Sequence, residues 1–271
     1  MALTLVFGNE KGGTGKSTIA MHVAIFFLRK GLRVGTIDVD ARQGTLTRYI
    51  QNRALKKQTH PHINLPLPFH ISLPKSAKST VEENETDEKA RFLDSLEQFR
   101  NCDIVIIDTP GSDQHLSRFA HAHADILITP MNDSLIDLDL LVHLDDAMTI
   151  IHPSTYSEMV WAQRKEKAIR SRGHIEWIVL RNRISNMQSR NHLEMDRILK
   201  SLAKRIGFHY LEGLSDRVIF RELFLTGMTL LDMRENRIGL SLSHIAAREE
   251  LTSLVTLIES FNQPSSLTGS L

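Results

Sequence analysis

The chain has a single cysteine, Cys102, in 271 residues. One thiol forms no intrachain disulfide and, alone, no cysteine-based zinc or iron–sulfur centre. Beside an apolar run it reads as a small buried residue. No run of about 18 apolar residues occurs, so a membrane-spanning helix is not expected. The opening Met1-Ala2-Leu3-Thr4 has neither a charged leader nor a cleavage pattern, and a cytoplasmic protein is expected. Net charge is equally scarce, +1 formally, and says nothing of partners by itself. With 41% apolar and 24% charged residues the composition is that of a globular protein, neither disordered nor fibrous.

What is present is unevenly placed. Residues 161–205 hold twelve Lys/Arg against four Asp/Glu, whereas 79–113 hold ten acidic residues against three basic ones. Such segregation serves a polyanion partner or merely solvates two faces. The thirteen histidines include His60 and His62 in a proline-rich stretch and His115, His121 and His123 on one predicted helix. A spacing of two sends His121 and His123 to different helix faces, which argues against a shared metal.

Short apolar runs alternate with helical patterns. LTLVF (3–7), RVGTID (33–38), DIVIID (103–108), DILIT (125–129) and IEWIVL (175–180) read as strands, and the segment from Ser17 to Gly31 as a buried helix. This predicts an α/β fold, a doubly wound and mostly parallel sheet flanked by helices. One domain is expected over 1–261. Prolines 61, 66, 68 and 74 and the acidic tract EENETDE mark residues 57–88 as a surface excursion. Residues 244–261 fit an amphipathic helix, and 262–271 a disordered tail.

The chemistry concentrates in GNEKGGTGKST, residues 8–18, between the first strand and the first helix. Glycines let the backbone curl onto phosphate oxygens, and the helix N-terminus adds favourable potential. The pattern places Gly12, Gly13, Thr14, Gly15, Lys16, Ser17 and Thr18 around a nucleotide, with Lys16 on the β- and γ-phosphates and Ser17 on Mg²⁺. ATP and Mg²⁺ are the expected ligands. Asp108, ending IVIID, fits the metal shell, although a carboxylate there can also cap a turn. Gly111 follows, where a backbone N–H could sense the γ-phosphate. Asp38 and Asp40 in DVDARQ form a second carboxylate pair. Asp40 is the candidate to orient the attacking water, and Asp38 to support the loop or metal. Glu10 occupies a position where the usual phosphate loop has glycine, and a second lysine, Lys11, follows it.

K-G-G-T-G-K-S beginning at Lys11, with DVD at the end of the next strand and IDTPG later, resembles the deviant Walker family of ParA/MinD ATPases. That resemblance implies that Lys11 reaches across a two-fold interface to the nucleotide of a second subunit, so an ATP-bound homodimer is expected. TPMNDS, VWAQRK, IVLRNR, RVIFRELF and GMTLLD extend the likeness to the MipZ branch of the family. Ala41-Arg42 after the second carboxylate also favours this branch, because ParA proteins have proline there. The branch implies a regulator of the division plane with three partners: a ParB-like partition protein, the division protein FtsZ, and nonspecific DNA. It implies slow ATP hydrolysis and a nucleoid-associated location. It also places Asn182 and Arg183 at the adenine edge, where spacing alone would make them turn residues.

The DNA surface implied by the resemblance falls on SRNHLEMDRILKSLAKR. Arg190, Arg197, Lys200 and Lys204 are its candidates, with Arg205 beside them, and Arg197, Lys200 and Lys204 share one helix face. Glu194 and Asp196 interrupt that surface. The tail after Phe261 lacks Lys and Arg, so no membrane attachment is expected. Two other roles use the same fold: a DNA-segregating ParA and an ATP-dependent metabolic ligase. A ligase should turn over ATP only with its small substrate.

Overall fold

The computed structural model describes residues 2–40, 42–145, 150–185, 190–235 and 241–262. In chain order these form β1 (Leu3–Phe7), α1 (Lys16–Arg29), β2 (Val34–Asp38), α2 (Thr45–Thr59), β3 (Phe69–Ser72), α3 (Val81–Gln98), β4 (Ile104–Asp108), α4 (His115–His123) and β5 (Ile126–Asn132). A 3-10 segment (Leu135–Leu140) follows, then β6 (Val142–Leu144), β7 (Ile150–Pro153), α5 (Thr155–Ser171), β8 (Glu176–Asn182), α6 (Arg190–Leu202) and a π-helical turn (Ala203–Gly207). The chain continues through β9 (His209–Leu211), α7 (Ile219–Thr226), α8 (Leu230–Glu235) and α9 (Leu242–Phe261).

Seven strands make one parallel sheet in the order β3-β2-β4-β1-β5-β8-β9, while β6 and β7 pair as a separate antiparallel hairpin. The strands are continuous apolar runs because helices cover both faces. Alternation sorts them: Val6, Ile37, Val105, Ile107, Leu127 and Val179 join one core, and Leu5, Phe7, Ile104, Ile106, Ile128 and Ile178 the other. Helix α1 packs on the second core through Ile19, Ala20, Val23 and Phe27, and turns Met21 and Ile25 to α2. It is buried on two sides. Helix α9 adds Ala247, Leu251, Leu254, Val255 and Ile258 at helical spacing to the same core as α1. Each of the larger of these side chains, the Leu, Ile, Val and Phe, contributes about 1.5–3 kcal/mol of burial. Cys102 is buried in the first core.

The stretch read from sequence as a surface excursion contributes the edge of the sheet. Residues 69–72 pair in parallel with β2, and Leu65 and Leu73 beside them are buried. Prolines 66, 68 and 74 flank this four-residue strand without entering it, so the turn signals were sound and the strand between them was too short to show. The tail from 263 lies outside the described residues.

Parallel register gathers the site at one edge. Phe7 pairs with Asp108, Asp108 with Asp38, and Asn132 with Asn182, so the loops leaving β1, β2, β4, β5 and β8 converge where open α/β sheets bind ligands.

Candidate nucleotide-binding site

Helix α1 starts at Lys16 with Gly15 as its N-cap, without a side-chain cap and without an acidic residue in its first turn. By contrast, α3 and α9 begin with complete capping boxes and α5 with a serine cap. The first amides of α1 therefore keep their affinity for an anion. Asn9 pins the loop: its Nδ2 donates to the Pro130 carbonyl (2.6 Å) and its Oδ1 accepts from the Lys11 amide (2.7 Å). Gly111 closes against the loop from β4. A Cβ at that position would lie 2.6 Å from the Gly12 nitrogen, so only glycine permits the approach.

Lys16 is 7% exposed, and its Nζ donates to the carbonyls of Asn9 (3.1 Å) and Lys11 (3.0 Å). Burial lowers its pKa, against the pull of the Asp108 and Asp40 carboxylates. Asp108 is 1% exposed, and its Oδ1 has no hydrogen-bond partner among the described residues. Burial, helped by Asp38, pushes its pKa up to about 8 despite a hydrogen bond from Ser17 and the nearby Lys16 charge. A buried carboxylate with an orphan oxygen beside a serine hydroxyl fits a hard divalent cation such as Mg²⁺.

The structure gives Asp38 a supporting position. Its Oδ2 accepts from the Thr47 amide (2.9 Å) and hydroxyl (2.7 Å), and its Oδ1 from the Asp40 amide (3.0 Å). Asp40 is thereby held at the site mouth, where burial raises its pKa. Glu10 is half-buried near Asp113 and Arg118; burial and the Asp113 charge push its pKa up, offset in part by Arg118. The Thr14 Oγ1 and Asn132 Oδ1 are further buried atoms here without partners among the described residues.

Lys11 does not join Lys16. Its Nζ donates to Asp137 Oδ1 (2.7 Å) and the Ile136 carbonyl (3.1 Å), both in the 3-10 segment after β5, and its side chain is 36% exposed. Sequence reasoning did not single out these two anchors, although they lie just beyond TPMNDS.

A cleft of about 480 Å³ opens beside the loop, bordered by Gly15, Thr18, His22, Asn182, Arg183 and Phe220 among others. Asn182 reaches it from the end of β8 and donates its Nδ2 to the Thr14 carbonyl (2.8 Å). Arg183 adopts φ 56°, in the left-handed region that non-glycine residues rarely enter. His22 lies at the cleft wall between the Thr18 carbonyl (2.9 Å) and the Leu230 amide (3.4 Å), and burial lowers its pKa to about 4. Arg217 and α7 fall in RVIFRELF, which was noted only for the family likeness, and residues 214–216 of this cleft carried no motif.

His121 packs beneath the loop with its Nδ1 2.6 Å from the Ser117 carbonyl, and His123 lies against Phe119 and Phe92. Both serve packing.

The basic helix differs from its sequence expectation. Arg197 pairs with Glu194 (2.5 Å) and Lys200 with Asp196 (2.6 Å), all four on α6. Lys204 lies beyond the end of α6, in the wider π-helical turn with Arg205, so it does not continue the Arg197–Lys200 row. Lys204 and Arg205 are exposed and make no ion pair among the described residues. The side chain of Arg190 lies outside the described residues. No described helix is long and apolar enough to cross a membrane.

Comparison with known proteins agrees with this geometry. The chromosome-partitioning ATPase Soj of Thermus thermophilus is 28% identical over 163 residues, 55% of this chain and 64% of Soj. The protein IncC of Escherichia coli is 51% identical over 37 residues, 14% of this chain and 10% of IncC. The matched region thus spans less than two thirds of either relative. In three dimensions the chain is similar to an ATP complex of McdA from Cyanothece (TM-score 0.65, 19% identity, 98% of this chain and 99% of that one). It is also similar to MinD from Pyrococcus horikoshii with Mg-ADP (TM-score 0.59, 15% identity, 97% and 99%). These likenesses establish the fold. The family described as ATPase MipZ matches residues 3–261, and to that family of ATPases the chain belongs.

Proposed function

We propose that the chain is an ATP-dependent dimerisation switch that sets where a cell divides. ATP occupies the loop, with Lys16 on the β- and γ-phosphates and the amides of residues 12–18 around them. Ser17 and Asp108 would hold Mg²⁺, which supplies charge neutralisation for the phosphates. Asp40 orients a water whose oxygen attacks the γ-phosphorus; the bond to the β–γ bridging oxygen breaks, leaving ADP and phosphate. Asn182 has committed its Nδ2 to Thr14, so its Oδ1 is the atom that accepts from the adenine amino group. Guanine presents a carbonyl there. Arg183 borders the same base.

The observation that carries the switch is the position of Lys11. Its ammonium is held by one carboxylate and one carbonyl of its own chain, half in solvent, where such a pair contributes about 0–1 kcal/mol. A triphosphate in a water-excluded interface is the stronger anion. Two subunits closing face to face would each complete the other's site with Lys11, and slow hydrolysis would reopen them.

Family membership and relatives named for chromosome partitioning and septum-site determination support the rest of the reading. A ParB-like partition protein recruits the chain, the ATP-bound homodimer holds nonspecific DNA in the cytoplasmic nucleoid, and the same dimer blocks FtsZ assembly. The Soj match favours a second reading, a ParA-type segregation ATPase that acts on DNA and ParB but not on FtsZ. Size-exclusion of wild type, Lys11→Ala and Asp40→Ala with ATP tests the switch. Dimer is expected to accumulate for Asp40→Ala and to vanish for Lys11→Ala. An FtsZ polymerisation assay with the Asp40→Ala dimer separates the two readings.

A further inference from the structure

One wall of the cleft, residues 214–217, is a short loop gripped from both sides. On the sheet side, Gly213 sits at φ 100°, and a Cβ there would lie 1.7 Å from the Arg181 carbonyl oxygen. The backbone then zips onto the end of β8: the Leu214 amide donates to Arg181 O (2.9 Å), Ile184 N to Leu214 O (3.1 Å), and Asp216 N to Ile184 O (2.9 Å). On the other side stands α9. Its Glu250 accepts from the Ser215 amide (3.2 Å) and hydroxyl (2.9 Å) and from both terminal nitrogens of Arg217 (2.5 and 2.8 Å). Ser243, in the first turn of the same helix, accepts from Arg217 Nε (3.2 Å).

Arg217 borders the cleft, yet three of its nitrogens are committed to α9, and its side chain is 10% exposed. It is therefore poorly placed to be a ligand of the bound molecule. The bidentate, shielded pair holds the loop instead, and neutralises a cation that would otherwise face the cleft.

We propose that Glu250 is a positioning residue for nucleoside recognition, so that the C-terminal helix sets base selectivity at a phosphate loop more than two hundred residues away in the chain. This rests on the reading of the cleft as the nucleoside site. The phosphates contact α1 and the β1 loop, whereas the hydrogen bonds of Glu250 among the described residues run to Ser215 and Arg217. The base and ribose meet the 214–217 wall, which it fixes. A small displacement of that wall costs base contacts and leaves phosphate contacts alone.

The test uses the full chain with Glu250→Gln, which keeps shape but sets an amide against the donors of Ser215 and Arg217, together with Glu250→Asp as the conservative rescue and Ser215→Ala as a mild second variant. Affinities for ATP, GTP and inorganic triphosphate are measured by calorimetry with Mg²⁺. Glu250→Gln is expected to weaken ATP about tenfold, narrow the ATP-to-GTP ratio and leave triphosphate within about twofold; Glu250→Asp restores at least half of the ratio, and Ser215→Ala shifts it slightly in the same direction. An unchanged ATP-to-GTP ratio in both Glu250→Gln and Ser215→Ala, or an equal loss of ATP and triphosphate, overturns the positioning role. Wild-type protein that binds ATP no more tightly than triphosphate overturns the nucleoside reading itself, and the proposal with it.

Discussion

The phosphate loop and helix α6 both display basic side chains, and they leave them in opposite states. At the loop, Lys16 is buried with backbone carbonyls as its partners, Asp108 has an oxygen with no donor, and α1 begins uncapped. On α6, Arg197 and Lys200 stand in solvent, 72% and 65% exposed, and each already holds a carboxylate one turn away. Unmatched polarity in a buried place is costly, and beside a phosphate loop it is what a bound ligand would complete. Matched charges on a surface are nearly neutral in energy and advertise little. Counting basic residues along 161–205 took paired and unpaired side chains alike.

Removing the central group of the first region should have the largest effect. Lys16→Ala is expected to weaken ATP by about 100-fold or more, because it deletes a charge-assisted contact in a desolvated pocket. Titration with a fluorescent ATP analogue reads this directly. Near-normal affinity would mean that the backbone cradle alone binds the phosphates.

The next effect separates the two lysines. Lys11→Ala should bind ATP within about threefold of wild type, since its ammonium lies on Asp137 and not on the loop, yet fail to dimerise. Asp137→Ala should do the reverse. It frees Lys11 and shifts ATP-driven dimerisation to about fivefold lower protein concentration, the scale of an exposed ion pair. Analytical ultracentrifugation across protein concentration gives both numbers. If Asp137→Ala dimerises less readily, the contact supports the closed form instead of the open one.

Asp108 tests whether the orphan oxygen is a cost of function. Its folded pKa, about 8, lies well above the usual carboxylate value. Between roughly pH 4 and pH 8 the unfolded chain has lost this proton and the folded chain keeps it. Stability of the nucleotide-free protein should therefore fall as pH rises through that window, and level off above it. Asp108→Asn removes the slope, and at pH 8 should raise stability by about 1–3 kcal/mol while abolishing Mg²⁺-dependent hydrolysis. Urea unfolding at pH 5, 6.5 and 8 decides it; equal slopes for both proteins would exclude Asp108 as their source.

Legibility in sequence followed the same division. The main parallel strands and the phosphate loop were readable because apolar runs and glycine spacing act locally: β1, β4 and α9 lie within two residues of their expected bounds. The edge strand β3 and the three-residue β9 were missed, since four or fewer residues carry no periodicity. At the site, Lys16, Ser17 and Asp108 came from the motif. Asp137, Glu250 and residues 214–216 of the wall did not, because their role exists only through long-range contacts, 126 residues for Lys11 and Asp137 and 35 for Ser215 and Glu250. The acids Glu194 and Asp196 were visible in sequence as interruptions, and the structure gives them partners.

Those partners define the smallest expected effect, and it acts on the second region. An Arg engaged at i, i+3 must leave its carboxylate to meet a DNA phosphate, so Arg197→Ala should change nonspecific duplex affinity by less than about twofold. Lys204 and Arg205 have no such competitor among the described residues, and each alanine substitution there should lower the slope of log affinity against log salt by about 1. Glu194→Gln is the sharper probe. Unlike Asp196, which also accepts from the Tyr210 hydroxyl (3.0 Å), Glu194 is bonded only to Arg197 among the described residues, so its loss frees a cation without loosening the helix. Affinity of the ATP-bound Asp40→Ala dimer for DNA should then rise about two- to threefold at low salt, with the gain vanishing near 0.5 M as screening shortens the reach of every surface charge. A fall in affinity would show that the Arg197–Glu194 pair presents α6 to DNA as a unit, and that matched surface charge can organise a binding face after all.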